Sequence, residues 1–142
     1  ETMRAVVREA NDKALIYTPW TMKHVLAHIA GWDDACAAAL RTEAEGREPA
    51  TPAIRGINHY NAESVATRQE LPYDRIVQEW EKAREEFKTA IRALPDGKIE
   101  DPLLLPWAEM GSAAGLVHIM AEHEEEHAHE IRGILARGEP AR

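Results

Sequence analysis

The sequence predicts an all-α protein: an antiparallel four-helix bundle with one extra short helix and a long crossover loop. Three observations predict it. Apolar residues recur about every 3.6 positions over four separate segments, the spacing that gathers them on one face of a helix. No run shows the apolar–polar alternation of a half-buried strand. The prolines fall between the periodic segments, where they end one helix or open the next. The 142 residues suit one domain, 1–142, with a core of its own, and 44% hydrophobic with 30% charged residues is a globular composition.

Residues 1–15 carry the first stripe, Met3, Val6, Val7 and Ala10, and residues 16–19 read as a short connection. The second helix is expected over 21–41, with Thr21 as its cap and Val25, Ile29, Trp32, Cys36 and Leu40 on one face. His28 sits inside that face and His24 at its edge. Cys36 is open to two readings, a soft ligand or nucleophile and a small core residue. Residues 42–56, punctuated by Gly46, Pro49, Pro52 and Gly56, form the long loop. A shorter helix over 57–69 follows, with Ile57, Tyr60, Asn61 and Val65 on one side and His59 exposed. Asn58 and Asn61 are poor helix formers, read either as cap or surface amides or as polar groups reaching into a pocket.

The fourth helix opens at Pro72 with Asp74 at its positive end. It carries Ile76, Trp80, Ala83, Phe87, Ala90, Ile91 and Leu94 inward and stops at Pro95, Asp96 and Gly97. Residues 96–111 read as an irregular linker whose Leu103, Leu104, Leu105 and Trp107 are open to two readings, a cover for one end of the bundle that helps wall a pocket and ordinary core packing. The last helix, 112–137, is capped by Ser112 and ended by Gly138.

That last helix holds His123-Glu124-Glu125-Glu126-His127. Histidines four apart stack on one face, in line here with Leu116, Ile119, Met120, Ile131 and Ile134. Burying two imidazoles costs free energy unless each finds a partner. A hydrogen-bonded polar pair is one solution and a shared metal ion the other. His28 supplies a third inward imidazole from another helix. Three neutral imidazoles leave a tetrahedral or octahedral divalent ion with open positions for water or substrate, the catalytic arrangement. His118 and His129 lie off this face. The literal H-E-x-x-H zinc-protease reading lacks a downstream ligand and a sheet. A di-iron carboxylate bundle lacks its second Glu-x-x-His. Glu124 is the one candidate base beside a metal, and as one of several acids on its helix it also reads as solvated.

The net charge of −8 with no basic stripe argues against a nucleic-acid partner. No apolar run reaches the length of a membrane span, and no signal-peptide pattern is visible. One cysteine excludes an internal disulfide and fits a reducing cytoplasm.

With these residues in view the chain resembles the DinB-like superfamily, and within it the ClbS/DfsB-type four-helix bundle proteins. The resemblance is carried by Trp20-Thr21 leading into Val25-Leu26-Ala27-His28-Ile29-Ala30-Gly31-Trp32, by Ile57-Asn58 with Leu71-Pro72, and by His118-Ile119 leading to the His123–His127 pair. It implies a divalent metal, zinc or nickel, on His28, His123 and His127. Proteins of this kind include thiol-dependent S-transferases, a maleylpyruvate isomerase and hydrolases of a reactive genotoxin, and many are dimers. No basic cluster is assigned here to the carboxylates of a thiol cofactor.

The expectation is therefore a cytoplasmic, homodimeric, metal-dependent enzyme. It activates water or a low-molecular-weight thiol against a small electrophilic substrate, by hydrolysis or S-transfer. Trp32, Tyr60 and Trp107 are the expected pocket walls, and Asn58 or Asn61 a polar contact. The alternative is a non-catalytic bundle that sequesters a small molecule or serves as a dimeric scaffold, with metal structural or absent.

Overall fold

The computed structural model describes residues 2–10, 12–17 and 19–138. Its helices are α1 (Thr2–Glu9), α2 (Met22–Ala44), α3 (Ile57–Ala66), α4 (Tyr73–Ala93) and α5 (Ala113–Arg137). The strands β1 (Leu15–Tyr17), β2 (Trp20–Thr21), β3 (Pro102–Leu104) and β4 (Met110–Ser112) form two antiparallel two-stranded ladders. The all-α bundle class holds. The expectation that no strand would appear does not. Strands of two or three residues are too short for alternation to show.

The first helix ends at Glu9, short of the expected residue 15. Of that stretch, Glu1 and Asn11 lie outside the described residues. The chain turns at Asp12 and Lys13, and the following carbonyls serve α2. The N–H of Met22 donates to Ala14 (2.8 Å) and that of Lys23 to Asp12 (3.3 Å). The first N–H groups of a helix have no partner within it, so this turn satisfies donors that would otherwise be orphaned. Thr21 is the N-cap residue of α2, as expected, and the side chain that closes the cap is His24, whose Nδ1 accepts the Thr21 N–H at 3.0 Å.

α2 is apolar on nearly every face and lies at the centre. Its small buried residues, among them Ala27, Ala30, Ala35, Ala37 and Ala39, let α4 pack along it. α3 sits on α2 at Gly31, where a Cβ would come within 2.2 Å of Ser64 Oγ and 2.7 Å of Ser64 Cβ. α3 is shorter than expected, ending at Ala66, and Ile57 at its start is half exposed rather than packed. On α5, Ser112 accepts the Gly115 N–H at 3.0 Å, and Gly138 ends the helix with φ 72°. Ile119 does not join the inward stripe of α5. It lies about 100° round the helix from Met120 and faces solvent.

Residues 96–111 are not irregular. After a 3₁₀ turn (Asp96–Lys98), β3 pairs with β4, Leu103 opposite Gly111. Leu103 and Leu105 are buried and cover one end of the bundle, as their composition suggested. The N–H of Ala53 donates to Pro106 (3.0 Å), which ties the long loop to this hairpin.

The apolar core comes in two clusters. One gathers Met3, Ile16, Leu26, Trp80 and Ile131, the other Leu40, Phe87, Leu94, Leu105 and Leu116. Each fully buried side chain of this size contributes roughly 1.5–3 kcal/mol. Along α2, α4 and α5 the change from one cluster to the other falls at Ala30–Trp32, Trp80–Phe87 and Met120–Ala128. Among the described residues the buried polar side chains of His28, Asp33 and Ser64 lie at or beside that seam, and that of Thr42 lies towards the end of α2.

Candidate metal centre

α2 brings His28 to the seam and α5 brings His123 and His127. One ring nitrogen of each lies within 4.8 Å of the others. Nε2 of His123 and Nε2 of His127 are 2.9 Å apart, and the His28 ring centroid is 5.7 and 5.6 Å from theirs. Two ligand atoms on a tetrahedral zinc ion, with Zn–N of about 2.0–2.1 Å, sit about 3.3 Å apart. The three rings therefore converge at a spacing that one ion can span.

The second nitrogen of two of these rings is held by the protein. His28 Nδ1 is 2.8 Å from Asn61 Oδ1, which also accepts the Trp32 Nε1–H at 2.7 Å. An oxygen can only accept, so His28 carries its proton on Nδ1 and leaves the Nε2 lone pair for the centre. His127 Nδ1 is 2.8 Å from the Tyr17 hydroxyl, which itself donates to Glu130 Oε2 at 2.7 Å. With its proton committed to Glu130, the Tyr17 oxygen accepts from His127, and His127 Nε2 is likewise free. Outer partners of this kind fix the tautomer and aim of a metal-binding histidine. Burial holds the pKa of all three imidazoles below the usual histidine range, that of His28 and of His127 at about 4. His127 adds repulsion at His28, and His123 at His127. Burial thus favours the uncharged form of all three rings, the form that ligates. The donor set, its spacing and the tautomers of His28 and His127 thus fit a divalent ion.

His24, committed to the α2 cap, is not one of the three. Trp20 lies over His28, ring centroids 5.4 Å apart, and with Asn58, Asn61, Ala62, Val65, Ala66 and Gln69 it lines an open cleft of about 450 Å³. Asn58 lines this cleft, and Asn61 both lines it and holds His28. Trp32 packs against Tyr60 (4.9 Å) and Trp107 (5.9 Å), and the Tyr60 hydroxyl donates to the Gly31 carbonyl at 2.7 Å. These three aromatics stand behind Asn61 and do not line the cleft.

Glu124 is not solvated. Its half-buried carboxylate is held by Arg84 of α4, which also donates to the fully buried Asp33 of α2. Burial raises the Asp33 pKa, and Arg84 opposes that shift in part. His59, expected to be exposed, is half-buried and lies 3.2 Å from Glu63. Cys36 is fully buried, with its pKa pushed up by burial, and stands in the apolar core.

Tyr17, Trp20, Asp33, Arg84 and Glu130 are the site residues that sequence reasoning missed. Asp33 had a signal, as one of two adjacent carboxylates in the middle of a largely apolar helix. Glu130 stands three positions after His127 on the same helix. Tyr17 had none.

Residues 1–131 match the mycothiol maleylpyruvate isomerase N-terminal domain family. Among curated protein sequences none matches significantly. Two crystal structures of the mycothiol-dependent maleylpyruvate isomerase share the fold. One is a histidine-to-alanine variant (TM-score 0.76, 14% identity) and the other is described without a variant (TM-score 0.74, 16% identity). In both, the alignment covers 92% of this chain and 55% of the other, so the chain spans about half the length of the solved isomerase chains. Identities this low carry likeness of fold alone, whereas the family match runs over most of the chain. The chain belongs to the mycothiol maleylpyruvate isomerase N-terminal domain family, within the DinB-like superfamily.

Proposed function

We propose that His28, His123 and His127 hold a divalent ion, zinc or nickel, and that this centre activates a low-molecular-weight thiol against a small electrophile. The observation that carries the reading is the convergence of three neutral imidazoles, two of them aimed by Asn61 and by the Tyr17–Glu130 pair. When bound, such an ion lowers the pKa of a thiol or water at its open position.

The chain's own residues do the rest. Asn61 and Tyr17 keep the His28 and His127 lone pairs on the centre. The cleft beside His28 receives the substrate between the Trp20 ring and the side chains of α3, with the amides of Asn58, Asn61 and Gln69 as its polar contacts. Among the described residues no carboxylate lines that cleft, and Glu124 is engaged by Arg84. A thiol that arrives as its own nucleophile asks less of such a site than water that needs a base. This supports S-transfer or thiol-dependent isomerisation over hydrolysis, in keeping with the mycothiol dependence of the structural relatives. The finer resemblance to ClbS/DfsB-type proteins, the homodimer, the cytoplasmic location and the absence of a nucleic-acid partner belong to the same proposal. No helix among the described residues is long and apolar enough to cross a membrane.

The test is metal content by elemental mass spectrometry on protein purified without a histidine tag, for the wild type and for His28→Ala, His123→Ala and His127→Ala. The expected result is near-stoichiometric zinc or nickel that disappears in each variant. Metal content indifferent to all three substitutions would overturn the centre and leave a small-molecule-sequestering bundle as the better reading.

A further inference from the structure

Three imidazoles meet at the seam, yet the two helices that carry them hardly approach each other. α2 packs chiefly on α4, and its backbone comes near α5 at few points. The spacing between His28 and the α5 pair therefore depends on side chains that bridge the gap. Two of the rings have bridges of their own. His28 is held by Asn61 of α3, and His127 by Tyr17 of β1. His123 has no such partner: among the described residues its one hydrogen bond runs from Nε2 to His127.

The residue next to it does have one. Glu124 is bound by Arg84 of α4. The same guanidinium donates through Nε to Asp33 Oδ2 (3.0 Å) and through Nη2 to Asp33 Oδ1 (3.3 Å). Asp33 has no solvent exposure and stands about a turn and a half beyond His28 on α2. Arg84 thus spans from the helix of the first ligand to the neighbour of the second, with its guanidinium 5.9 Å from the centroid of the buried Trp80 ring.

Stability alone does not call for this arrangement. A buried ion cluster is costly to desolvate, and apolar residues of similar volume often do as well or better. What a guanidinium fork adds is direction. Here two donors grip Asp33 and so fix the direction in which the guanidinium reaches Glu124 through Nη2, which a lysine cannot do.

We propose that Asp33 and Arg84 are positioning residues of the metal centre. Acting through Glu124, they set the place of His123, the one ligand whose ring, among the described residues, no side chain outside the centre holds. The inference rests on the metal reading of the three histidines, and its test separates the two.

Zinc dissociation constants are measured by competition with a chromophoric chelator for the wild type, Arg84→Lys, His123→Ala and the double variant. The two-histidine site of His123→Ala is read at higher zinc. Arg84→Lys is expected to weaken zinc binding about tenfold in the wild-type background, the size typical of outer-shell losses. In the His123→Ala background the same change is expected to cost less than about twofold, because its effect passes through the missing ring. A general loosening of the bundle would weaken both backgrounds alike, so equal losses overturn the proposal. No loss in the wild-type background overturns it too. If Arg84→Lys does not fold, as judged by circular dichroism, Glu124→Gln is carried through the same cycle with the same outcomes. A wild type that binds no zinc or nickel sinks the metal reading and this inference together. A wild type that binds, with Arg84→Lys unchanged, sinks the inference alone.

Discussion

An imidazole ligates only as a neutral ring with a lone pair aimed at the ion, and at this centre burial and partner choice work toward both. The Tyr17 hydroxyl accepts from His127 because Glu130 takes its own proton. Tyr17→Phe removes that acceptor and lets the ring turn. The expected result is a metal affinity lower by about 10–100-fold, with Glu130→Gln in the lower part of that range, read by isothermal titration. The three histidines were legible in the sequence because each interrupts an apolar stripe at helical spacing. Tyr17 was not, since its partner lies 110 residues away and no spacing rule reaches that far. Glu124 could be numbered but not placed. Periodicity tells which side of α5 it occupies, and only the position of α4 shows that Arg84 meets it there.

Elements matter here through how closely they approach. α3 reaches His28 and Trp32 because Gly31 presents no side chain to Ser64. By helix propensity alone, Gly31→Ala would gain roughly 1 kcal/mol. The contact with Ser64 is expected to win, for a net loss of about 1–2 kcal/mol as α3 is pushed away. Metal affinity should fall with it as Asn61 leaves His28. Thermal unfolding and metal titration check this, and Gly31→Ala combined with Ser64→Gly should recover much of both. The long helices were legible from their stripes and caps, with Ser112 and Gly138 bounding α5 as read. The early end of α1 was not. What ends it is tertiary: carbonyls of residues 12 and 14 are needed by the first turn of α2. The ladder β3–β4 was hidden for a related reason. Its short strands are stabilised by covering the bundle end with Leu103 and Leu105, not by a periodic face of their own.

At the scale of the molecule, the bundle holds two apolar clusters with a polar seam between them. An ion at that seam would join α2 to α5, two helices whose backbones come near each other at few points. Binding to the folded state alone adds about 2.7–4.1 kcal/mol when free metal is 100–1,000 times its dissociation constant. Chelation is therefore expected to lower the thermal midpoint by on the order of ten degrees. The His127→Ala variant should show little response, and calorimetry with and without chelator reads the difference. The bundle class was legible because four amphipathic segments have few other ways to bury their faces. The seam was not, because it depends on which rungs of different helices come level. One further feature acquires a meaning at this scale. Cys36, the chain's single sulfhydryl, is sealed in the core and held as the neutral thiol. A nucleophilic sulfur that meets an electrophile in the cleft is therefore not that of Cys36. An alkylating reagent that marks Cys36 reports instead how often the whole bundle opens, a clock for unfolding that runs independently of turnover.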